Sequence, residues 1–402
     1  MSLNALWRTL GLAAAAMCVS VATAQAQVPP DISEGLKKIG QIVDPACTAK
    51  LYRPLMPKND FNTYWPPDAA APVFKGQLYP GITIVRDQSF GSNPKDVLDI
   101  FTADKGGNNR PVFIYVAGGA GNKIEQQVRE ANAFYDNIGR WAAKNDMVGV
   151  LVQRHQGTGN WDDGGRDLSL AVNWIKANIA KHGGDPNRLF IAAHSAGTFP
   201  LGVYVGHPKR WTNGVQVKGA IFMSGNPVPG LGGPAFGAAP GRAGAPGGRG
   251  AAGPPPGFGS GPAPGSTCGV TAGLASNEGA IAGPSGQREA AAFGRGGRGF
   301  QPPTAEEQAE RDNLPGFKAS NVKIMLVRAE LDPGVMGDMT EADKAIHDEL
   351  CKVDGPNAKD GEGHCPVMLF AKGHSHMSEV FAFDTPDKSV SDPILAWMKK
   401  IK

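Results

Sequence analysis

The sequence predicts an α/β fold, with a mostly parallel central sheet and helices on both faces. Three observations carry this. Uninterrupted apolar runs recur along the chain, as strands buried on both faces require. Segments with apolar residues at helical spacing lie between them. The two signals alternate, as parallel strand connections demand.

The elements follow in order. Residues 82–101 hold two β-type runs, ITIVRD and VLDIF, separated by Gly-Ser-Asn-Pro, which reads as a hairpin. Six strand-like runs come next, at 111–116, 148–152, 189–193, 219–223, 322–327 and 366–370. Among the helical segments, Leu168, Val172, Ile175 and Ile179 form one stripe. Lys181-His182-Gly183-Gly184 ends that helix with basic residues and a capping glycine. Ser391-Asp392-Pro393 supplies a cap and a first-turn proline for a final helix running through Met398.

The chain has 402 residues, 41% hydrophobic and 19% charged, enough to build a packed core over most of its length. Its 55 glycines and 33 prolines exceed what a uniform globule uses. They concentrate in residues 226–303, a Gly/Pro/Ala/Arg-rich insertion with few aromatic or β-branched residues. Such a segment cannot bury enough surface to offset its ordering entropy, so it is expected to be disordered. Its five arginines outnumber its two glutamates by three, which equals the net charge of +3 for the whole chain. The remainder is neutral and shows no bias toward nucleic acid or acidic membranes. Order is expected to return at Thr304-Ala-Glu-Glu307, a capping box.

The N-terminus has the form of a secretory signal peptide. An apolar, alanine-rich run from Leu10 to Ala24 precedes Ala24-Gln25-Ala26, and cleavage is expected after Ala26 or Ala24. The organisation is then a signal at 1–26 and one domain at 27–402. Periplasmic or secreted localisation follows, with no stable membrane anchor after cleavage. Outside the signal lie Cys47, Cys268, Cys351 and Cys365. Cys351 and Cys365 flank a polar, glycine-rich loop and form the candidate disulfide, closing a loop worth roughly 3 kcal/mol. No cysteine spacing matches a zinc site, and neither metal nor cofactor is expected.

Catalytic chemistry is suggested by Ala193-His194-Ser195-Ala196-Gly197, which sits after an apolar strand and before a helix-compatible segment. This differs from G-x-S-x-G only at Ala193. A serine there is expected on a tight strand-to-helix turn. A nucleophilic serine needs a base and an orienting acid. Asp332 follows the strand at 322–327, with Glu330 and Asp338 as rivals. His374 follows the strand at 366–370, with His376 as the alternative base. The remaining histidines, His194 among them, read as surface or packing residues. The order Ser, Asp, His, each beyond a parallel strand, suits acyl transfer. The backbone N–H of Ala196 and the glycine-rich run after Val116 are candidate oxyanion donors.

These residues resemble the carboxylesterase, lipase and hormone-sensitive-lipase-related branch of the α/β-hydrolase superfamily. The resemblance is carried by the run from Asn178 to Gly197, by Val97–Phe101 with Pro111–Ala120, and by Gly373-His-Ser-His-Met-Ser-Glu-Val380. It spans about Leu78 to Lys399, apart from the insertion. It implies a Ser195–Asp332–His374 triad, with Gly118, Gly119, Ala120 and Ala196 around the oxyanion. Two departures stand out. Ala117 replaces the histidine of the family's His-Gly-Gly motif, and Val152-Gln-Arg-His-Gln-Gly157 replaces its Asn-Tyr-Arg-Leu-Ala-Pro. The expected activity is cofactor-free cleavage of a small-molecule carboxylic ester. An amidase or peptidase using the same triad, or a non-catalytic binding protein on this fold, are the alternatives.

Overall fold

The computed structural model describes residues 28–56, 79–118, 134–153, 160–231 and 304–401. The signal-like segment, Gly119, Ala120, Cys268 and residues 232–303 of the insertion lie outside these. The described part of the insertion, residues 226–231, packs onto the domain through Val228, which is buried.

Eight strands form one sheet in the order β1-β2-β4-β3-β5-β6-β7-β8. They are β1 (Ile82–Ser89), β2 (Val97–Ala103), β3 (Arg110–Val116), β4 (Val148–Val152), β5 (Gly184–His194), β6 (Gly219–Met223), β7 (Lys323–Leu331) and β8 (Val367–Ser375). β1 and β2 are the expected hairpin, and β2 runs antiparallel to β4. All pairings from β4 to β8 are parallel. This strand order, with helices on both faces, is the α/β-hydrolase fold.

Side-chain alternation divides the core in two. On β3 and β5, Phe113, Tyr115, Phe190 and Ala192 face one layer. Val112, Ile114, Val116, Leu189, Ile191 and Ala193 face the other. α1 (Pro30–Ile39), α2 (Pro45–Tyr52) and α3 (Asp136–Lys144) cover the first face. α4 (Asp163–Asn178) and α5 (Thr198–Gly206) cover the second, α4 through the predicted Leu168, Val172, Ile175 stripe. After α4, a 3₁₀ turn ends on Gly183 at φ +78°, the expected left-handed cap.

Thr304 and Glu307 form a reciprocal capping box on α6 (Ala305–Glu310), as expected. α7 (Leu314–Ala319) and α8 (Glu341–Asp354) follow. α9 (Ser378–Phe381) and α10 (Ser391–Lys400) close the chain. At α10 one expectation changes: the cap position is Val390, and no side chain caps the helix. Ser391 lies inside the first turn, fully buried. Cys351 and Cys365 are disulfide-bonded. Among the described residues, no helix is long and apolar enough to cross a membrane.

Candidate active site

β5 delivers Ser195. The strand ends at His194, and Ser195 turns sharply with φ +53° before a 3₁₀ turn leads into α5. A non-glycine residue in this left-handed region costs on the order of 1–2 kcal/mol, and such strain concentrates at functional sites. The turn is held by Thr198, whose hydroxyl donates to the Ser195 carbonyl at 2.7 Å. It also brings the unpaired N–H groups of a helical first turn beside Ser195.

Two glycines are sterically required here. A Cβ on Gly197 would lie 2.8 Å from the Ala117 carbonyl oxygen. A Cβ on Gly118 would lie 2.9 Å from both the Ser195 Cβ and the His194 carbonyl oxygen. Gly118, at the end of β3, therefore packs directly on the serine turn. Gly119 and Ala120 fall outside the described residues. Ala193, in place of the first motif glycine, lies between Val116 and Phe222 in the sheet and is fully buried. Its methyl group belongs to the core.

Asp332 and His376 meet through strand register. β7 and β8 pair with Leu331 opposite Ser375, so Asp332 and His376 each stand one residue past the end of paired strands. His376 Nδ1 donates to Asp332 Oδ1 at 2.6 Å. Asp332 Oδ2 accepts from Arg328 Nη1 at 2.7 Å. Burial pushes the Asp332 carboxyl up, but the charge and hydrogen bond of His376, then those of Arg328, outweigh it and hold the group below its usual range.

The expectation that His374 pairs with Asp332 is thereby corrected. β8 continues through Ser375, so His374 lies within the strand. It is fully buried, with Nδ1 3.0 Å from the Ser378 hydroxyl and Nε2 2.6 Å from that of Ser389. Ser389 in turn donates to Asp387, which accepts from Tyr52 on α2. His374 thus ties β8 to the turn after α9. The rival acids are engaged elsewhere. Glu330 accepts from Gly373 N at 2.7 Å, fixing an irregularity in β8 where Gly373 has φ +80°. Asp338 is exposed and pairs with Lys344.

Three further residues shape the site. Arg328 is buried and also grips Asp343 through two nitrogens, at 2.9 and 3.0 Å. Arginine so close to a buried run was a legible signal, because burying it demands carboxylate partners. His194, next to the serine, donates from Nε2 to the His376 carbonyl at 2.8 Å, and the two rings lie 4.6 Å apart. Burial, and then the neighbouring His376, push the His194 imidazole down to about 3, so it is a neutral donor. Glu379 is fully buried with Oε1 3.4 Å from His194 Nε2. Burial and the charge of Asp332 push its carboxyl well above the usual carboxylate range.

Ser195, Asp332 and His376 therefore each follow the carboxyl end of a parallel strand, the edge where ligands bind in open α/β folds. A cavity of about 760 Å³, lined in part by Lys218, Val322, Lys323 and Trp397, opens at the opposite edge. It lies away from this chemistry.

Comparison with known proteins matches part of the chain, including the serine turn. Residues 147–231, which span β4, the serine turn and β6, match the model of the carboxylesterase family. Over this stretch the chain is carboxylesterase/lipase-like in sequence. It is 29% identical over 109 residues to isoprenylcysteine alpha-carbonyl methylesterase ICME from Arabidopsis thaliana, covering 27% of this chain and 24% of that protein. It is 27% identical over 178 residues to Esterase LipC from Mycobacterium tuberculosis, covering 44% and 43%. With liver carboxylesterase 1F from Rattus norvegicus it shares 28% identity over 184 residues, covering 41% and 31%. The matched stretches span less than half the length of each relative.

Proposed function

We propose that this protein is a serine hydrolase of small carboxylic esters, with Ser195 as nucleophile, His376 as base and Asp332 as orienting acid. The observation that carries the reading is the 2.6 Å hydrogen bond between His376 Nδ1 and Asp332 Oδ1, beside the strained serine turn. With Nδ1–H committed to Asp332, Nε2 is the ring nitrogen that takes the Ser195 proton. His194 supports the arrangement by holding the His376 backbone next to the serine.

The reaction runs through an acyl-enzyme. Ser195 Oγ attacks the ester carbonyl while His376 accepts its proton. The developing oxyanion is met by the Ala196 N–H and the backbone near Gly118, donors of a kind each worth about two to three decades of rate. The imidazolium, stabilised by Asp332, protonates the departing alcohol. Water, deprotonated by His376, then releases the acid. All these groups come from the chain itself. The relatives named above carry esterase names, which supports an ester as the substrate.

Hydrolysis of p-nitrophenyl esters by wild type and Ser195→Ala tests the proposal. Ser195-dependent turnover is expected, and equal turnover by the two proteins would refute it. Cleavage of residues 1–26 and export belong to the same proposal. The Cys351–Cys365 bridge suits an oxidising compartment. Intact mass of the protein recovered from periplasm or medium checks it.

A further inference from the structure

On the outer face of α8, far in sequence from the serine site, lies a cluster that ester hydrolysis does not use. His347 and Cys351 are one turn apart on the helix and share a face. The following loop folds back and presents Asp360 and Cys365 to them. His347 Nε2 lies 3.4 Å from Cys351 Sγ, 3.7 Å from Cys365 Sγ and 3.0 Å from Asp360 Oδ1. Cys365 Sγ lies 3.9 Å from Asp360 Oδ1. Ligands around a tetrahedral zinc ion, with bonds of about 2.0–2.3 Å, stand roughly 3.3–3.8 Å apart. The distances from His347 Nε2 to the two sulfurs and to Asp360 already lie close to that spacing.

We propose that reduction of the Cys351–Cys365 bridge opens a site for a zinc-class divalent ion, bound by both sulfurs, His347 Nε2 and Asp360. A reductant such as a phosphine breaks the S–S bond, leaves as the phosphine oxide with an oxygen from water, and yields two thiols. Binding of the ion releases one proton from each thiol. The two thiolates, a neutral imidazole and a carboxylate complete four-coordination, a donor set suited to zinc or cobalt. Asp348 Oδ1, 3.3 Å from His347 Nδ1, is positioned to accept from it and hold the ring from behind.

The loop does not depend on the bridge alone. His364 Nδ1 hydrogen-bonds Asp354 Oδ1 at 2.9 Å, Gly361 N donates to the Cys365 carbonyl at 2.9 Å, and Lys323 Nζ bonds the Gly363 carbonyl. After reduction these contacts keep the four donors close. The sulfurs need only separate to roughly 3.8 Å for Zn–S bonds of about 2.3 Å, and Cys351 is the less buried of the two. Asp360, with 59% of its side chain exposed, gives the ion a path in. Bridge and ion exclude one another, so occupancy reports the redox state of this loop.

The test is titration of the full chain with Co²⁺, before and after anaerobic reduction with a water-soluble phosphine. The reduced chain is expected to bind one ion, giving intense tetrahedral ligand-field bands and near-ultraviolet sulfur charge-transfer bands. The oxidised chain should give neither. Cys47 is also disulfide-bonded, so a Cys351→Ser/Cys365→Ser variant serves as control and should lose both signals. His347→Ala and Asp360→Asn should each weaken binding at least about tenfold. Zn²⁺ should raise the Tm of the reduced chain and leave that of the oxidised chain unchanged. A reduced chain that binds no ion, folded or not, overturns the proposal. So do undiminished signals from the double-serine control, or full affinity in both the His347 and Asp360 variants.

Discussion

Arg328 donates from Nη1 to Asp332 Oδ2 at 2.7 Å, the carboxylate oxygen that His376 does not use. The same guanidinium holds Asp343 and the Gly225 carbonyl, and is itself buried. Removing it leaves two buried carboxylates without their cation. Arg328→Leu is expected to cost roughly 3–5 kcal/mol of stability, the usual consequence of breaking a buried pair from one side. Arg328→Lys keeps the charge but loses the fork, so it should retain more stability. Denaturant midpoints of the three proteins check the order.

His374 has a structural part. His374→Ala would leave the Ser378 and Ser389 hydroxyls without their imidazole partner, at a cost of roughly 1–3 kcal/mol. Its kcat should stay within about tenfold of wild type, because the ring does not contact Asp332. A fall of several decades in kcat in a folded His374→Ala protein would contradict this.

Much of this was readable from the chain, and the misses have physical causes. Apolar runs marked β3 to β6 well because those strands are buried on both faces. Ser195 was legible because a strand, a serine and small residues meet within a few positions. The base was not, because choosing between His374 and His376 depends on where β8 stops. Pairing through Leu331 and Ser375, past the irregularity at Gly373, carries the strand further than its apolar run. The role of His194 was hidden for a different reason. Its partner is a backbone carbonyl far along the chain, which no local pattern encodes.

Gly118 offers a steric test of the oxyanion region. Gly118→Ala places a methyl group 2.9 Å from the Ser195 Cβ, so the loop or the serine must move. Activity should drop by about two decades or more, as misplacement near 1 Å does elsewhere. The thermal midpoint should change far less. Steady-state kinetics beside a melting curve separates the two effects.

His194 gives the fold a pH signature. Its folded pKa is about 3, against 6.5 for an unperturbed imidazole. Between those values the unfolded chain holds one more proton than the folded one. Stability is therefore fully present above about pH 6.5 and is lost as pH falls toward 3, by up to about 1.4 kcal/mol per pH unit. His194→Gln keeps an N–H donor for the His376 carbonyl but does not titrate. Its stability should fall less steeply than that of wild type between pH 6.5 and 4.5, as read from urea midpoints. Parallel slopes would show that His194 does not contribute.

The central claim is that His376, paired with Asp332, activates Ser195. The rate of fluorophosphonate labelling, followed by intact mass, measures this activation directly. Wild type and His374→Ala should each take up one adduct on Ser195 at comparable rates. In a folded His376→Ala protein the rate should fall by at least about a thousandfold. Undiminished labelling of His376→Ala, with loss of labelling in His374→Ala, would contradict the account.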